Sequence, residues 1–200
     1  MSRVVVTEFV SLDGVMEDPG GSEKSRHGAW TFKFNRGPEG DKFKLDELMA
    51  SDALLLGRVT YEGFAASWPG RTDERGRVFA DKMNSMRKYV VSKTLKDGNA
   101  TWNNSTVIRG DVATEVGRLK THSGGDLLVA GSAQLVQALT ENHLVDEYRL
   151  MVFPIILGSG KRLFAQTHDA STLNLTSSQT AGDGVLLLTY KPASAALGEK

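Results

Sequence analysis

The chain has 200 residues, with 24 Lys plus Arg against 24 Asp plus Glu and no cysteine. Zero formal charge provides no basic field for nucleic acid or an anionic membrane, and the missing cysteines exclude disulfides, thiolate zinc sites and cysteine nucleophiles. At 40% hydrophobic and 24% charged residues, the chain reads as one folded domain over residues 1–192 with a flexible tail over 193–200.

In chain order, Met1 to Val10 is short and broken by Thr7 and Glu8, so it is not a secretion signal. Nowhere do about 18 apolar residues run together, and a soluble, cytoplasmic protein is expected. Val4–Val10 is rich in β-branched residues and predicts a buried first strand. A glycine- and charge-rich stretch over residues 11–40, containing Asp13-Gly14 and Pro19-Gly20-Gly21, predicts a long functional loop. A helix is expected over Asp41–Met49, a strand over Ala53–Leu56, and helices over Thr60–Ala66 and Glu74–Met86.

Two more strands follow at Tyr89–Val91 and Ser105–Ile108. The spacing of Val112, Val116 and Leu119 predicts a helix over Val112–Lys120. Asp126–Ala130 reads as a strand, Ala133–Glu141 as a helix, and Glu147–Leu157 as a long strand with Pro154 at a bulge or edge. Ser171–Ser177 and Val185–Tyr190 read as final strands, the second after the turn Gly182-Asp183-Gly184. Helices alternate with strands until the strands dominate the end. That order predicts an α/β fold, a mostly parallel sheet with helices on both faces and a C-terminal antiparallel hairpin.

Two junctions share one design: a buried strand, a glycine, then a helix. The first is Leu54-Leu55-Leu56-Gly57-Arg58-Val59-Thr60-Tyr61, the second Leu127-Leu128-Val129-Ala130-Gly131-Ser132-Ala133-Gln134. Helix N-termini offer unpaired backbone amides and partial positive charge, which suit phosphate. Arg58 adds a planar fork, and Thr60 and Ser132 add hydroxyls. Taken singly, each junction is also served by a plain reading, in which Thr60 and Ser132 are N-caps and the glycines only permit a turn. Other motifs fall away. Leu163 stands where a dinucleotide fingerprint starting at Gly158 needs its third glycine, and Arg162 follows Lys161 where a phosphate loop needs Ser or Thr. The four histidines lack metal-binding spacing, and no Gly-x-Ser-x-Gly elbow exists.

These residues resemble a family. Ser11-Leu12-Asp13-Gly14, Ala53-Leu54-Leu55-Leu56-Gly57-Arg58-Val59-Thr60-Tyr61-Glu62, Tyr89-Val90-Val91-Ser92-Lys93-Thr94 and Val129-Ala130-Gly131-Ser132 stand in the order seen in dihydrofolate reductases. The stretch Pro154-Ile155-Ile156-Leu157-Gly158-Ser159-Gly160-Lys161-Arg162-Leu163-Phe164 is similar to the reductase domain of the riboflavin-biosynthesis deaminase-reductases and their stand-alone relatives.

The resemblance covers about residues 3 to 191 and implies a dihydrofolate-reductase-like three-layer fold with an eight-stranded sheet. It also implies NADPH across the sheet's carboxyl edge. Gly57, Arg58, Val59 and Thr60 would meet the cofactor phosphates; Ser92, Lys93 and Thr94 would line the adenosine end; Gly131, Ser132, Ala133 and Gln134 would wrap the pyrophosphate. The loop from Ser11 to about Trp30 would be the lid beside the nicotinamide.

Counting back from Gly57 places the family's substrate-anchoring carboxylate at Asp41, with Asp46 and Glu47 as rivals and a solvated first-turn residue as the plain alternative. Gly131-Ser132 departs from the family's two glycines, and Gln134 replaces a residue that is often basic. Preference for NADPH therefore rests on Arg58 and Lys93. No zinc-deaminase signature is present. The expected function is NADPH-dependent reduction of a pterin-like or aminopyrimidine-ribotide-like molecule, with a homodimer built on the later strands. The alternative is a non-catalytic nucleotide- or heterocycle-binding protein that kept the fold.

Overall fold

The computed structural model describes residues 1–72, 76–122, 124–164 and 170–193. Its strands are β1 (Val4–Ser11), β2 (Ser51–Gly57), β3 (Arg87–Val91), β4 (Ser105–Ile108), β5 (Asp126–Ala130), β6 (Glu147–Phe153), β7 (Leu173–Ala181) and β8 (Val185–Pro192). All eight join one sheet in the order β4-β3-β2-β5-β1-β6-β8-β7. The first six run parallel, and β8 and β7 close the sheet antiparallel. This is the expected α/β architecture.

The helices are α1 (Gly37–Met49), α2 (Arg58–Ser67), α3 (Arg77–Ser85), α4 (Val112–Lys120) and α5 (Ala133–Glu141). Strands covered on both faces must be apolar on both, and the central strands comply. Val4, Val6, Leu55 and Val129 pack beneath Val116 and Leu119 of α4 and Leu135, Val136 and Leu139 of α5. Val5, Leu54, Leu56 and Leu128 pack on the opposite face with Leu48 of α1, Tyr61 of α2 and Met83 of α3. A third cluster gathers Trp30, Met151, Phe153, Val185 and Leu187 at the hairpin end.

Several boundaries move, each for a physical reason. α1 begins at Gly37 instead of Asp41, because Pro38 sits in its first turn, where the missing amide costs nothing. α2 starts at Arg58 directly after Gly57. α3 spans Arg77–Ser85, and Met86 is already extended; the expected start at Glu74 lies outside the described residues, as do 194–200 of the expected tail. β6 stops at Phe153, so Pro154 terminates the strand instead of bulging it. β7 runs Leu173–Ala181, beyond the expected end at Ser177, and most of its residues are exposed. The β7–β8 turn is latched to the entry of α1: Asn35 donates its amide to Asp183 Oδ2 at 2.8 Å, and Asp183 returns its own amide to the Asn35 carbonyl at 2.7 Å. A Cβ on Gly182 would stand 1.9 Å from that carbonyl oxygen, so only glycine fits the turn.

Candidate active site

At the carboxyl edge of the sheet, β2 and β5 are hydrogen-bonded neighbours, with Leu55 opposite Val129. Their two glycine turns therefore end side by side. Gly57 donates its amide to Ser132 Oγ at 2.8 Å, and Ser132 donates its hydroxyl to Thr60 Oγ1 at 2.8 Å. Gly131 and Ser132 both adopt left-handed backbone, with φ of 65° and 66°. A Cβ on Gly131 would meet Thr60 Cγ2 at 2.9 Å, so the second turn rests directly on the first turn of α2. Neither hydroxyl caps its own helix, contrary to the plain capping reading. Ser132 and Thr60 spend their polarity on each other and lace the junctions into one cradle, above which the first-turn amides of α2 and α5 face outward.

The remaining expected cofactor residues are placed as follows. Arg58 is partly exposed and forms an i,i+4 pair with Glu62 at 2.9 Å, an interaction worth at most about 1 kcal/mol that a phosphate can displace. Ser92 is buried, and its hydroxyl accepts the amides of Thr94 and Leu95 at 3.2 and 3.0 Å, so it shapes the turn after β3. Lys93 and Thr94 are exposed on that turn, and Val59 and Gln134 are exposed at the starts of their helices.

The carboxylates of α1 separate sharply. Asp41 is solvent-facing and paired with Arg36 at 2.6 Å; Asp46 is solvent-facing and paired with Lys42 at 2.5 Å. Glu47 is 1% exposed and turned to β1, where it accepts the Thr7 hydroxyl at 2.7 Å and pairs with Lys44. Lys44 in turn reaches Thr7 Oγ1 at 2.6 Å and lies 4.9 Å from the centre of the Phe9 ring. Thr7 is opposite Ala130, the last residue of β5, so this group stands level with the glycine cradle. The position reached by counting back from Gly57 thus faces water, and its rival Glu47 is turned inward to β1 at the level of the cradle.

The next residue, Glu8, was not singled out from sequence. It is 5% exposed, and burial pushes its carboxyl well above the usual carboxylate range. Lys44 pulls it down, nearby Glu47 pushes it further up, and the Gly131 amide lowers it a little. Among the described residues, no group hydrogen-bonds Glu8 Oε1 or Glu47 Oε2. The available signal was a carboxylate inside a β-branched strand that has neighbours on both sides.

The loop after β1 is ordered by the chain that follows β6. Leu12 donates to the Ile155 carbonyl at 2.8 Å, Met16 to Lys161 at 2.8 Å, and Leu163 returns a bond to Gly14 at 3.0 Å. Asp13 clasps the other side, accepting the amides of Leu157 and Gly158 at 3.1 and 2.9 Å and the Ser11 hydroxyl at 2.7 Å. The Ser11 hydroxyl and these two amides lower the Asp13 pKa to about 2. A depressed carboxylate contributes stability above its unfolded pKa that is lost as pH falls through the folded value. Asp13→Asn is therefore expected to lose about 1 kcal/mol at pH 7 in urea unfolding, with the difference shrinking as pH approaches 2.

No helix among the described residues is long and apolar enough to cross a membrane. They also contain no cluster of metal-ligating side chains. Comparison with known proteins gives the family and the fold. Residues 2–187 match the RibD C-terminal domain family. The chain is 28% identical over 189 residues to YyaP of Bacillus subtilis (strain 168), covering 94% of each chain. It is 29% identical over 187 residues to YwjB of the same organism, covering 92% of this chain and 95% of the other. Both are described as uncharacterized proteins. Among solved structures, a Shewanella sp. PV-4 protein with a riboflavin-biosynthesis name superposes with TM-score 0.76 at 20% identity, over 97% of this chain and all of the other. RibD of Acinetobacter baumannii superposes with TM-score 0.66 at 17% identity, over 96% of this chain and 58% of that larger one.

Proposed function

Because the chain belongs to the RibD C-terminal domain family, we propose that it is an NADPH-dependent reductase of a pterin-like or aminopyrimidine-ribotide-like heterocycle, working in the cytoplasm. The observation that carries this reading is the fusion of two strand-glycine-helix junctions into one cradle at the carboxyl edge of adjacent β2 and β5. Such a place, where two helix N-termini converge beyond strand ends, suits a dinucleotide pyrophosphate. The left-handed Gly131, which leaves no room for a side chain, lets the phosphates approach the backbone.

In this reading Gly57, Arg58, Val59 and Thr60 hold one phosphate and Gly131, Ser132, Ala133 and Gln134 the other. Ser92, Lys93 and Thr94 line the adenosine end. Arg58 and Lys93 supply the charge that favours a 2′-phosphate. The bound nicotinamide supplies hydride, and the protein orients it and keeps water out. The ordered loop over residues 12–29 forms the wall on the nicotinamide side. Glu47 takes the anchoring role first assigned to Asp41, because of these two and Asp46 it alone is buried beside β1. The choice of an aminopyrimidine-like substrate is supported by the names of the superposed structures, one of them a pyrimidine reductase-like protein of Corynebacterium diphtheriae with TM-score 0.58.

We also propose a homodimer. On the α4 and α5 side of the sheet, Val152, Leu186, Leu188, Tyr190 and Leu175 share one face and are only partly covered. An apolar sheet face of this kind suits a second copy of itself.

The test of the reductase reading is titration with NADPH and NADH followed by nicotinamide fluorescence. NADPH is expected to bind more tightly than NADH, and Arg58→Ala to weaken NADPH about tenfold, near the worth of one charge-assisted contact. Failure of either nucleotide to bind would overturn the reading.

A further inference from the structure

Hydride transfer to a C=N or C=O bond leaves a nitrogen or oxygen that needs a proton, and the residues named above supply none. Lys44 and Glu47 neutralise each other, and the hydroxyls of Ser132 and Thr60 are bonded together. Glu8 differs from all of them. It stands one residue past the last β1–β5 pair, Thr7 with Ala130, where β5 has ended and the chain turns at Gly131. Alternation along β1 puts its side chain on the side of Val4, Val6 and Val10, the cluster in which Met16 of the lid and Leu163 also pack. The carboxyl is thus enclosed where the lid meets the cradle, with one oxygen unclaimed among the described residues. Leaving a buried polar oxygen without a partner works against folding, and a fold keeps such a group where a ligand completes it.

We propose that Glu8 is the proton donor of this site, a carboxylic acid whose free oxygen meets the heteroatom of the substrate's reducible double bond. The inference rests on the reductase reading above. In the step, the Glu8 O–H bond breaks and an N–H or O–H bond forms on the heteroatom, which receives the π electron pair. The adjacent carbon gains its C–H bond from the hydride of a dihydronicotinamide, which is oxidised. The Glu8 carboxylate then regains a proton from water. Desolvation favours the neutral carboxyl, the form an acid requires, against the opposing pull of Lys44 and with the support of Glu47.

The test needs no substrate. In protein labelled with 13C at the glutamate carboxyl carbon, Glu8→Gln removes one resonance and so assigns it. That resonance is then titrated with pH in the free protein and with NADPH or NADP+ bound. The oxidised ring carries a positive charge that the reduced ring lacks. If Glu8 lies at the reacting end, its midpoint is expected at least about one pH unit lower with NADP+ than with NADPH. Equal midpoints, with both nucleotides bound, would overturn the proposal and leave the reductase reading intact. If neither nucleotide binds, the reductase reading falls and takes the proposal with it.

The Glu8→Gln variant is expected to fold. A carboxyl with a raised folded pKa contributes stability below its unfolded pKa that is lost as pH rises through the folded value. The melting temperature of the glutamine variant should therefore gain on the wild type by about 3–8 °C between pH 4.5 and pH 8. A flat difference across that range would mean Glu8 is ionised in the fold and would sink the proposal independently of any nucleotide.

Discussion

Replacing Trp30 by alanine is expected to lower the free energy of unfolding by about 3–5 kcal/mol, the usual cost of removing a large buried aromatic ring. Trp30 is fully buried, its ring sits edge-on to Phe153 at 5.3 Å, and its Nε1 donates to the Glu17 carbonyl at 2.9 Å. It fixes two things at once: the third core cluster beneath the hairpin, and the far end of the loop after β1. Urea unfolding measures the first. Limited proteolysis within residues 12–29 measures the second, and cleavage should rise in the alanine variant under conditions where the sheet stays folded. Trp30→Phe keeps most of the apolar burial and loses only the bond to Glu17, so it should cost far less stability. A small effect of the alanine change would mean that the loop is held by its backbone bonds to residues 155–163 alone.

Gly131→Ala is the second large effect, and its main readout is binding. The alanine must adopt φ near 65°, which costs an L-residue about 1–2 kcal/mol. Its Cβ would also press on Thr60 Cγ2 at 2.9 Å. The strain is relieved by moving Ser132, and with it the Gly57–Ser132–Thr60 hydrogen-bond chain that sets the cradle. NADPH affinity is expected to fall about 100-fold, equivalent to roughly 2.7 kcal/mol. The double variant with Thr60→Ala removes the close atoms but not the backbone strain, and should recover only part of the loss. Unchanged affinity in Gly131→Ala would place the phosphates elsewhere.

Much of the architecture was legible because burial on both faces leaves a plain imprint. β1, β2 and β5 are largely apolar runs, as strands of a sheet covered on both faces require. β7 was truncated because an exposed edge strand needs no apolar pattern, and Ser178, Gln179 and Thr180 read like a loop. The start of α1 was hidden by Gly37-Pro38-Glu39-Gly40, whose residues suit a loop everywhere except at a helix entry. The two junctions were visible as glycines after strands. Their lacing was not, since the contact between Thr60 and Ser132 depends on β2 and β5 being neighbours although 72 residues separate the two side chains.

The carboxylates illustrate a harder limit. Residue counting selected Asp41, whereas helix phase turns Glu47 to β1 and Asp41 to water, which is why the anchoring role is proposed for Glu47. Glu8 gave a signal that was read only as an interruption of an apolar run. β1 is paired on both edges and covered on both faces, and a charge buried in such a strand is a site candidate.

The sheet order also has a kinetic meaning. β1 leaves the ribosome first, yet its two partners are β5 and β6, and Val5 pairs with Glu147, 142 positions later. At about 5–20 residues per second, the strand at the centre of the finished sheet waits roughly 7–28 s during synthesis before its second edge is made. Until β5 emerges this strongly apolar strand has open hydrogen-bonding edges on both sides, and one edge stays open until β6 follows, the condition that invites wrong pairing. The formation of native structure is therefore gated by the arrival of β6, and α1 to α3 with β2 to β4 can assemble earlier only as a partial sheet. Chains released before β6 should aggregate, and refolding of the intact protein should be slow for its size because its central pairings are the most distant in sequence.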